Sequence, residues 1–195
     1  MKDLLKKVRS KEDGRPMNLV FLGPPGAGKG TYAKILAERE SIPHISTGDI
    51  LRGEMKANTP LGQEAKSFIE SGKLVPDDLI LKMIQVTLSR PEYEKGFILD
   101  GFPRTVAQAE AFQKMSKEIS RELDIVFYFK TSEAKVLFRL SGRRTCGQCG
   151  AIYHIQNRPS RKEGICDKCS SKLVMRKDDE PETVKNRLKV YENET

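Results

Sequence analysis

The chain is short of several things. No window approaches eighteen apolar residues, so no membrane-spanning helix is expected. Met1 to Pro16, MKDLLKKVRSKEDGRP, has no apolar stretch of the kind a secretory signal needs, and Asp3, Glu12 and Asp13 make it too acidic for a transit peptide. There are no internal repeats and no low-complexity tracts. Cysteine is confined to four positions and histidine to two. His44 sits among apolar neighbours and reads as a strand or core residue, and His154 reads as a surface residue. These absences leave a cytoplasmic α/β protein as the expectation. Its 195 residues suit one compact domain with insertions. Hydrophobic residues make up 37% and charged residues 32%, so the surface is polar. A net charge of +8 is compatible with nucleic acid, yet the lysines and arginines are dispersed and mixed with acids. Handling of small polyanions explains that charge as well as DNA or RNA does.

What is present is organised around Phe21 to Thr31, FLGPPGAGKGT. The run Leu19-Val20-Phe21-Leu22 predicts a fully buried strand, and Thr31-Tyr32-Ala33-Lys34-Ile35-Leu36 predicts a helix. Strand, glycine loop and helix form the setting in which G-x-x-x-x-G-K cradles phosphates, here from Gly23 to Lys29. Gly26, Ala27, Gly28, Lys29, Gly30 and Thr31 are the predicted phosphate ligands: backbone N–H groups and the positive helix end face the anion, and Lys29 adds a point charge. The general pattern has Ser or Thr directly after the lysine as a magnesium ligand. Here Gly30 stands there, so either phosphates and water hold the metal or Thr31 takes part of the role.

Further strands are predicted over 42–45, 97–100 and 124–129. Helices are predicted over 60–72, 76–89 and 105–120, with another through Val136, Leu137 and Leu140. Alternating strands and helices predict a parallel sheet covered on both faces, with a ligand at the strands' C-terminal ends. Asp100 ends one such strand and is followed by Gly101-Phe102-Pro103-Arg104-Thr105. A carboxylate there is suited to holding Mg2+ through water beside a triphosphate. Cys146-x-x-Cys149 and Cys166-x-x-Cys169 are sixteen residues apart, a spacing that fits a structural zinc site. Two disulfides are the alternative. Arg143, Arg144, Arg158, Arg161 and Lys162 surround this segment, so a zinc ribbon that binds nucleic acid is the competing functional reading.

GPPGAGKGT, STGDILR at 46–52, GKLVP at 72–76, DGFPRT at 100–105, SGRR at 141–144 and RKDDEPETVKNRL at 176–188 together resemble the adenylate kinase family, in its bacterial zinc-lid form. The resemblance implies a P-loop core over 17–195, an AMP-binding insertion at 46–75 and a zinc-bearing lid at 142–179. It implies ATP, AMP and ADP as partners, with no nucleic acid or membrane, and a monomer. Thr47, Arg52, Lys73, Leu74, Val75, Gly101, Phe102, Pro103, Arg104 and Gln108 are assigned to AMP, Gln108 through its base. Arg139, Arg143, Ile152 and Tyr153 are assigned to ATP. Arg176 and Arg187 join Lys29, Arg104 and Arg143 around the transferring group, and Asp100 orients Mg2+. A kinase for UMP or CMP is the near alternative. Family members of this type continue beyond YENET with a further strand and a closing helix, and lack the first sixteen residues. A truncated chain, a split enzyme with a complementing C-terminal fragment, and a rearranged chain are the expectations this leaves.

Overall fold

The computed structural model describes residues 16–195; the short helix that Leu4, Leu5 and Val8 would give an apolar stripe, expected from the sequence near the N-terminus, lies outside the described residues. Two compact units are present. The first holds the described residues through Gly23, then Gly28–Gly62 and Pro76–Phe129; the second holds Pro24–Ala27, Gln63–Val75 and Lys130–Thr195.

The first unit is built on four parallel strands, β1 (Met17–Leu22), β2 (His44–Ser46), β3 (Gly96–Asp100) and β4 (Ile125–Tyr128), in the order β2-β3-β1-β4. The two central strands, MNLVFL and GFILD, are the near-continuous apolar runs that a strand covered on both faces requires. Their register sets Phe21 beside Asp100, and β2 sets Ser46 beside the same aspartate, so three strand ends meet at one level. Leu19, Phe21 and Ile98 on the sheet pack on Ala33 and Leu36 of α1 (Lys29–Glu40), with Phe127 and Phe129 at the margin. Phe21 and Phe127 meet edge to face at 5.3 Å. Each fully buried side chain of this kind contributes about 1.5–3 kcal/mol. The strand expected over 42–45 starts two residues later, at His44, and ends at Ser46, because Pro43 has no N–H to donate. Its carbonyl accepts Ile98 N–H at 2.9 Å, and Ile42 joins the cluster beneath α1.

The other helices are α2 (Thr47–Lys56), α3 (Pro60–Ser71), α4 (Asp77–Leu88), α5 (Val106–Glu118), α6 (Glu133–Ser141) and α7 (Pro181–Glu194). Ser46 caps α2 through Asp49 N–H and Thr105 caps α5 through Gln108 N–H, which fixes both helix starts. The parallel sheet with its helices is as expected, and the edge strand β4 is its most exposed part. Along β4 burial alternates, with Val126 half exposed and Tyr128 more so.

In the second unit α6 and α7 bury Val136, Leu140, Val184 and Leu188 between them. An antiparallel sheet of β5 (Arg143–Cys146), β6 (Ile152–His154) and β7 (Leu173–Val174), in the order β6-β5-β7, carries the cysteines. No helix among the described residues is long and apolar enough to cross a membrane.

Candidate active site

In the first unit, β1 turns into the glycine loop at Gly23, whose φ of +138° only glycine adopts easily and whose absent Cβ would strike the Phe129 carbonyl. Gly28 caps α1 in the left-handed region, and the first turn of α1 carries no acidic side chain. The positive helix end is therefore not neutralised by the turn itself. Lys29 Nζ donates to the Gly23 carbonyl at 2.6 Å, so its ammonium is held across the loop mouth.

Asp100, at the end of β3, aims Oδ2 at the start of α1. A Cβ on Gly30 would lie only 3.1 Å from that oxygen. A Ser or Thr side chain at this position would crowd the Asp100 carboxylate, which accords with the departure from the general motif. An acid at this depth beside a phosphate loop fits a water-coordinated divalent cation. His44 Nε2, buried, faces the same Oδ2 at 3.6 Å, so the histidine expected to be plain core borders the carboxylate.

Next to it, Thr47 Oγ1 donates to the Gly101 carbonyl at 3.0 Å and Arg104 Nε donates to the same carbonyl at 2.8 Å. Gln108 Oε1 accepts the Arg104 N–H at 2.7 Å, and Gln108 Nε2 donates to Asp77 Oδ1 at 2.6 Å. Asp77 Oδ2 also accepts from Thr105 Oγ1 at 3.2 Å. Arg52 pairs with Asp49 one helical turn back, at 2.6 Å. Phe102, expected beside a nucleotide, is buried edge to face against Phe112 at 5.4 Å, while Pro103 joins it to Arg104.

In the second unit, Arg139 Nη1 donates to the carbonyls of Gly26 and Ala27 at 3.2 and 3.1 Å, gripping that part of the loop from α6. Arg143 pairs side-on with Asp179, its Nε donating to Oδ2 at 2.7 Å, and Arg187 Nη1 pairs with Asp178 Oδ2 at 2.9 Å. Arg176 Nε donates to Thr145 Oγ1 at 3.1 Å. The Lys73 N–H closes α3 on the Phe68 carbonyl at 2.9 Å, Val75 is buried, and Leu74 is half-buried between them.

The cysteines form two knuckles. Cys146 and Cys169 sulfurs lie 3.3 Å apart and those of Cys149 and Cys166 3.6 Å, and all four fall within 4.8 Å of one another. These separations exclude disulfides, whose sulfurs sit about 2.05 Å apart. Tetrahedral coordination through bonds of about 2.3 Å puts thiolates about 3.8 Å apart, so the set fits one thiophilic ion. Backbone N–H groups of Cys149 and Lys168 donate to the sulfurs of Cys146 and Cys166. Burial works against ionisation of Cys166, yet the Tyr153 hydroxyl and the N–H groups of Lys168 and Cys169 outweigh it and bring the thiol down to about 6. The Ser171 N–H and hydroxyl hold Cys169 below its usual value. Cys149 moves the other way, to about 11: the Ala151 N–H favours its thiolate, but burial and hydrogen bonds with the other three thiols prevail. Tyr153, expected to face ATP, has its ring buried against this cluster, with its hydroxyl 3.6 Å from Cys166 Sγ and accepting Asp167 N–H at 2.8 Å. Ile152, beside it, is half-buried.

Four residues escaped the reading of the sequence: His44, Asp77, Asp178 and Asp179. The two adjacent aspartates lie inside RKDDEPETVKNRL, and two consecutive acids between motif arginines were the available signal.

A family model described as adenylate kinase matches residues 21–195. An adenylate kinase of Clostridium botulinum (strain Langeland) is 52% identical over 179 residues, covering 92% of this chain and 83% of that protein. An adenylate kinase of Caldicellulosiruptor bescii is 50% identical with the same coverage, and one of a Geobacter species (strain M21) is 50% identical over 92% of this chain and 84% of its own length. With the glycine loop, the carboxylate set against it and these relatives in agreement, the chain belongs to the adenylate kinase family of nucleoside monophosphate kinases.

Proposed function

We propose that the chain catalyses reversible phosphoryl transfer, Mg·ATP + AMP ⇌ 2 ADP. The observation that carries this is the Asp100 carboxylate set against Gly30 at the positive head of α1, with Lys29 across the same loop. Mg2+, when bound, neutralises charge on the β- and γ-phosphates, and Asp100 would hold it through water. Gly26 to Thr31 bind the ATP phosphates. Arg139 and Arg143 attend them, and Ile152 and Tyr153 contact ATP.

The acceptor needs no general base. A phosphate monoester has its second pKa near about 6, so AMP arrives largely as a dianion with a nucleophilic oxygen. An AMP oxygen forms the new P–O bond as the bond between the γ-phosphorus and its bridging oxygen breaks, and the electron pair leaves on ADP. ATP4− and AMP2− become two ADP3−, so charge and protons balance. Residues able to place charge, rather than to move protons, are what the step demands. Lys29, Arg104, Arg143, Arg176 and Arg187 supply it, in forks suited to pairs of phosphate oxygens. Thr47, Arg52 and the 73–75 backbone hold AMP together with Gly101 to Arg104. Gln108 has one amide hydrogen and one lone pair beyond those used internally, enough to read an adenine edge.

Segments 46–75 and 142–179 act as flaps that exclude water, since an open site would hydrolyse ATP. Zn2+ held by Cys146, Cys149, Cys166 and Cys169 has all four positions filled by protein and stiffens the second flap. A coupled ADP assay with AMP, UMP and CMP tests the reading. AMP-dependent ADP formation is expected, with AMP preferred. ATP consumption that ignores AMP overturns the reaction, and preference for UMP or CMP overturns the base assignment.

A further inference from the structure

Tyr153 is placed at ATP by the function as read so far, and nothing in that reading uses its hydroxyl. The ring is buried, at 7% exposure, in one cluster with Cys146 and Cys166. Its hydroxyl lies 3.6 Å from Cys166 Sγ and accepts the Asp167 N–H at 2.8 Å. A phenol oxygen offers one proton and lone pairs. The Asp167 N–H occupies a lone pair, and a metal-bound thiolate has no proton to give, so the hydroxyl proton is the one directed at sulfur. Cys166 is also the sulfur with the greatest need of a donor. Four thiolates around one divalent cation leave an excess of negative charge, and buried charge persists only where it is met. Cys149 is exposed and Cys169 half-buried, whereas Cys146 and Cys166 are buried, at 2% and 1% exposure. Each buried sulfur accepts a backbone N–H of its own knuckle, from Cys149 at 3.5 Å and from Lys168 at 3.4 Å. Cys166, the deeper of the two, is met in addition by this side chain from β6.

We propose that Tyr153 is a positioning residue for the metal site: its hydroxyl donates to the Cys166 thiolate and fixes that sulfur, and it does not itself touch the ion. This rests on the reading of the four cysteines as the ligands of one thiophilic ion. A directed donor stabilises the charge on a ligand and sets its orientation, which leaves the remaining lone pairs for the metal. The same oxygen holds the Asp167 N–H, so it grips the second knuckle at two consecutive residues, one by its sulfur and one by its main chain. Asp167 returns the grip through Oδ1, which accepts the Arg161 N–H at 2.9 Å. The turn that carries Cys166 is thus ordered from the sheet side before metal arrives, and less ordering is left for the binding step.

The test is Tyr153→Phe, which keeps the ring and removes the hydroxyl. In competition with a chromogenic chelator, the variant is expected to bind Zn2+ roughly 10–100-fold more weakly than the wild-type chain, the usual cost of losing a partner of a metal ligand. Looser packing also weakens binding, so the deciding readout is spectroscopic. With Co2+ in place of Zn2+, the sulfur-to-cobalt charge-transfer bands report the energy of the sulfur lone pairs. A donated hydrogen bond lowers that energy, so its removal is expected to move the bands to longer wavelength. Leu173→Ala, which opens the same cluster without removing a side-chain donor, is expected to leave them in place. A weaker site with unshifted bands is what a merely space-filling tyrosine gives, and it overturns the proposal. A second measurement keeps the wild-type sequence and does not depend on the variants folding. Replacing tyrosine by 3-fluorotyrosine makes the phenol more acidic and a stronger donor, and the same bands are expected to move to shorter wavelength; bands that stay in place overturn the proposal. A wild-type chain that binds one Co2+ through its four thiols while Tyr153→Phe alters neither affinity nor spectrum sinks this inference alone; a wild-type chain that binds neither Zn2+ nor Co2+ sinks the metal-site reading beneath it.

Discussion

Asp77→Ala separates base recognition from the rest of catalysis. Asp77 opens α4, and its two oxygens are divided between Gln108 Nε2 at 2.6 Å and Thr105 Oγ1 at 3.2 Å. Gln108 is 2% exposed, so losing its acceptor strands a buried amide hydrogen, at a cost of about 1–3 kcal/mol. The helix also loses an acid from its first turn, worth about 0.3–1 kcal/mol. The combined loss of about 1.3–4 kcal/mol lowers Tm by roughly 3–15 °C for a chain of this size. The functional consequence is more specific. An untied Gln108 no longer presents its amide in one orientation, and a loss of about 1–2 kcal/mol in AMP binding raises KM for AMP about 5- to 30-fold. KM for ATP should stay near its wild-type value, because the Asp77–Gln108 pair touches no residue assigned to ATP. Asp77→Asn, which retains an acceptor oxygen, should fall between the two. Steady-state rates with AMP varied at saturating ATP, and the reverse, measure both constants, and a melt measures Tm. If Tm drops as expected while KM for AMP stays within error of wild type, Gln108 supports the loop and does not read the base.

Three further outcomes follow from the same geometry. Asp100→Asn removes the charge facing Gly30 and is expected to lower kcat roughly 100-fold, the scale of losing one preorganised electrostatic group; an unchanged Mg2+ requirement in a titration would count against its role. Cys166→Ser, or extended chelation, should release about one zinc equivalent per chain in a colorimetric metal assay and lower Tm, since metal bound only by the folded state stabilises that state. A Tm that does not respond to zinc loss refutes a structural ion. Leu140→Ala empties a position that is 1% exposed between Val136, Val184 and Leu188 and should cost about 2.7–5 kcal/mol in urea unfolding. A loss below that range would mean that α6 and α7 collapse onto the gap.

The parts of the site that announce themselves in sequence are those whose chemistry restricts the residue type. A loop that must bring several N–H groups to one anion needs glycine at left-handed positions, and Gly23, Gly26 and Gly28 all have positive φ. A tetrahedral thiolate cage needs four cysteines at knuckle spacing, and the four sulfurs converge as that spacing requires. The central strands were equally legible, because burial on both faces writes an unbroken apolar run. The strand at β4 was legible too, but its burial was not. DIVFYF is just as apolar, but composition cannot tell a covered face from an exposed one, and Val126 and Tyr128 prove exposed. The three-stranded sheet around the cysteines was also invisible, since strands of two to four residues are too short to show a period.

What stayed hidden has a common physical character. The cations of a phosphate site are visible because they recur in motifs; the groups that hold them are not, because any nearby carbonyl or acid can do it. Arg104 rests on the Gly101 carbonyl, Arg139 on those of Gly26 and Ala27, and Lys29 on that of Gly23. Carbonyls have no sequence signature at all. Where the holder is a side chain, as with Asp77 and Asp179, the sequence offers one more acid in a chain that is 32% charged, and nothing in its period sets it apart. Burial sets it apart: an acid at 0% exposure must be paired, and here its main partner is Arg143, one of the motif arginines. The same logic explains Gly30. A Ser or Thr there would add a metal ligand, but its Cβ would press on Asp100 at 3.1 Å, so the glycine marks how close the carboxylate has come. In this chain the motif residues mark which charges are expected at phosphate, and the acids and carbonyls paired with them fix how those charges are held.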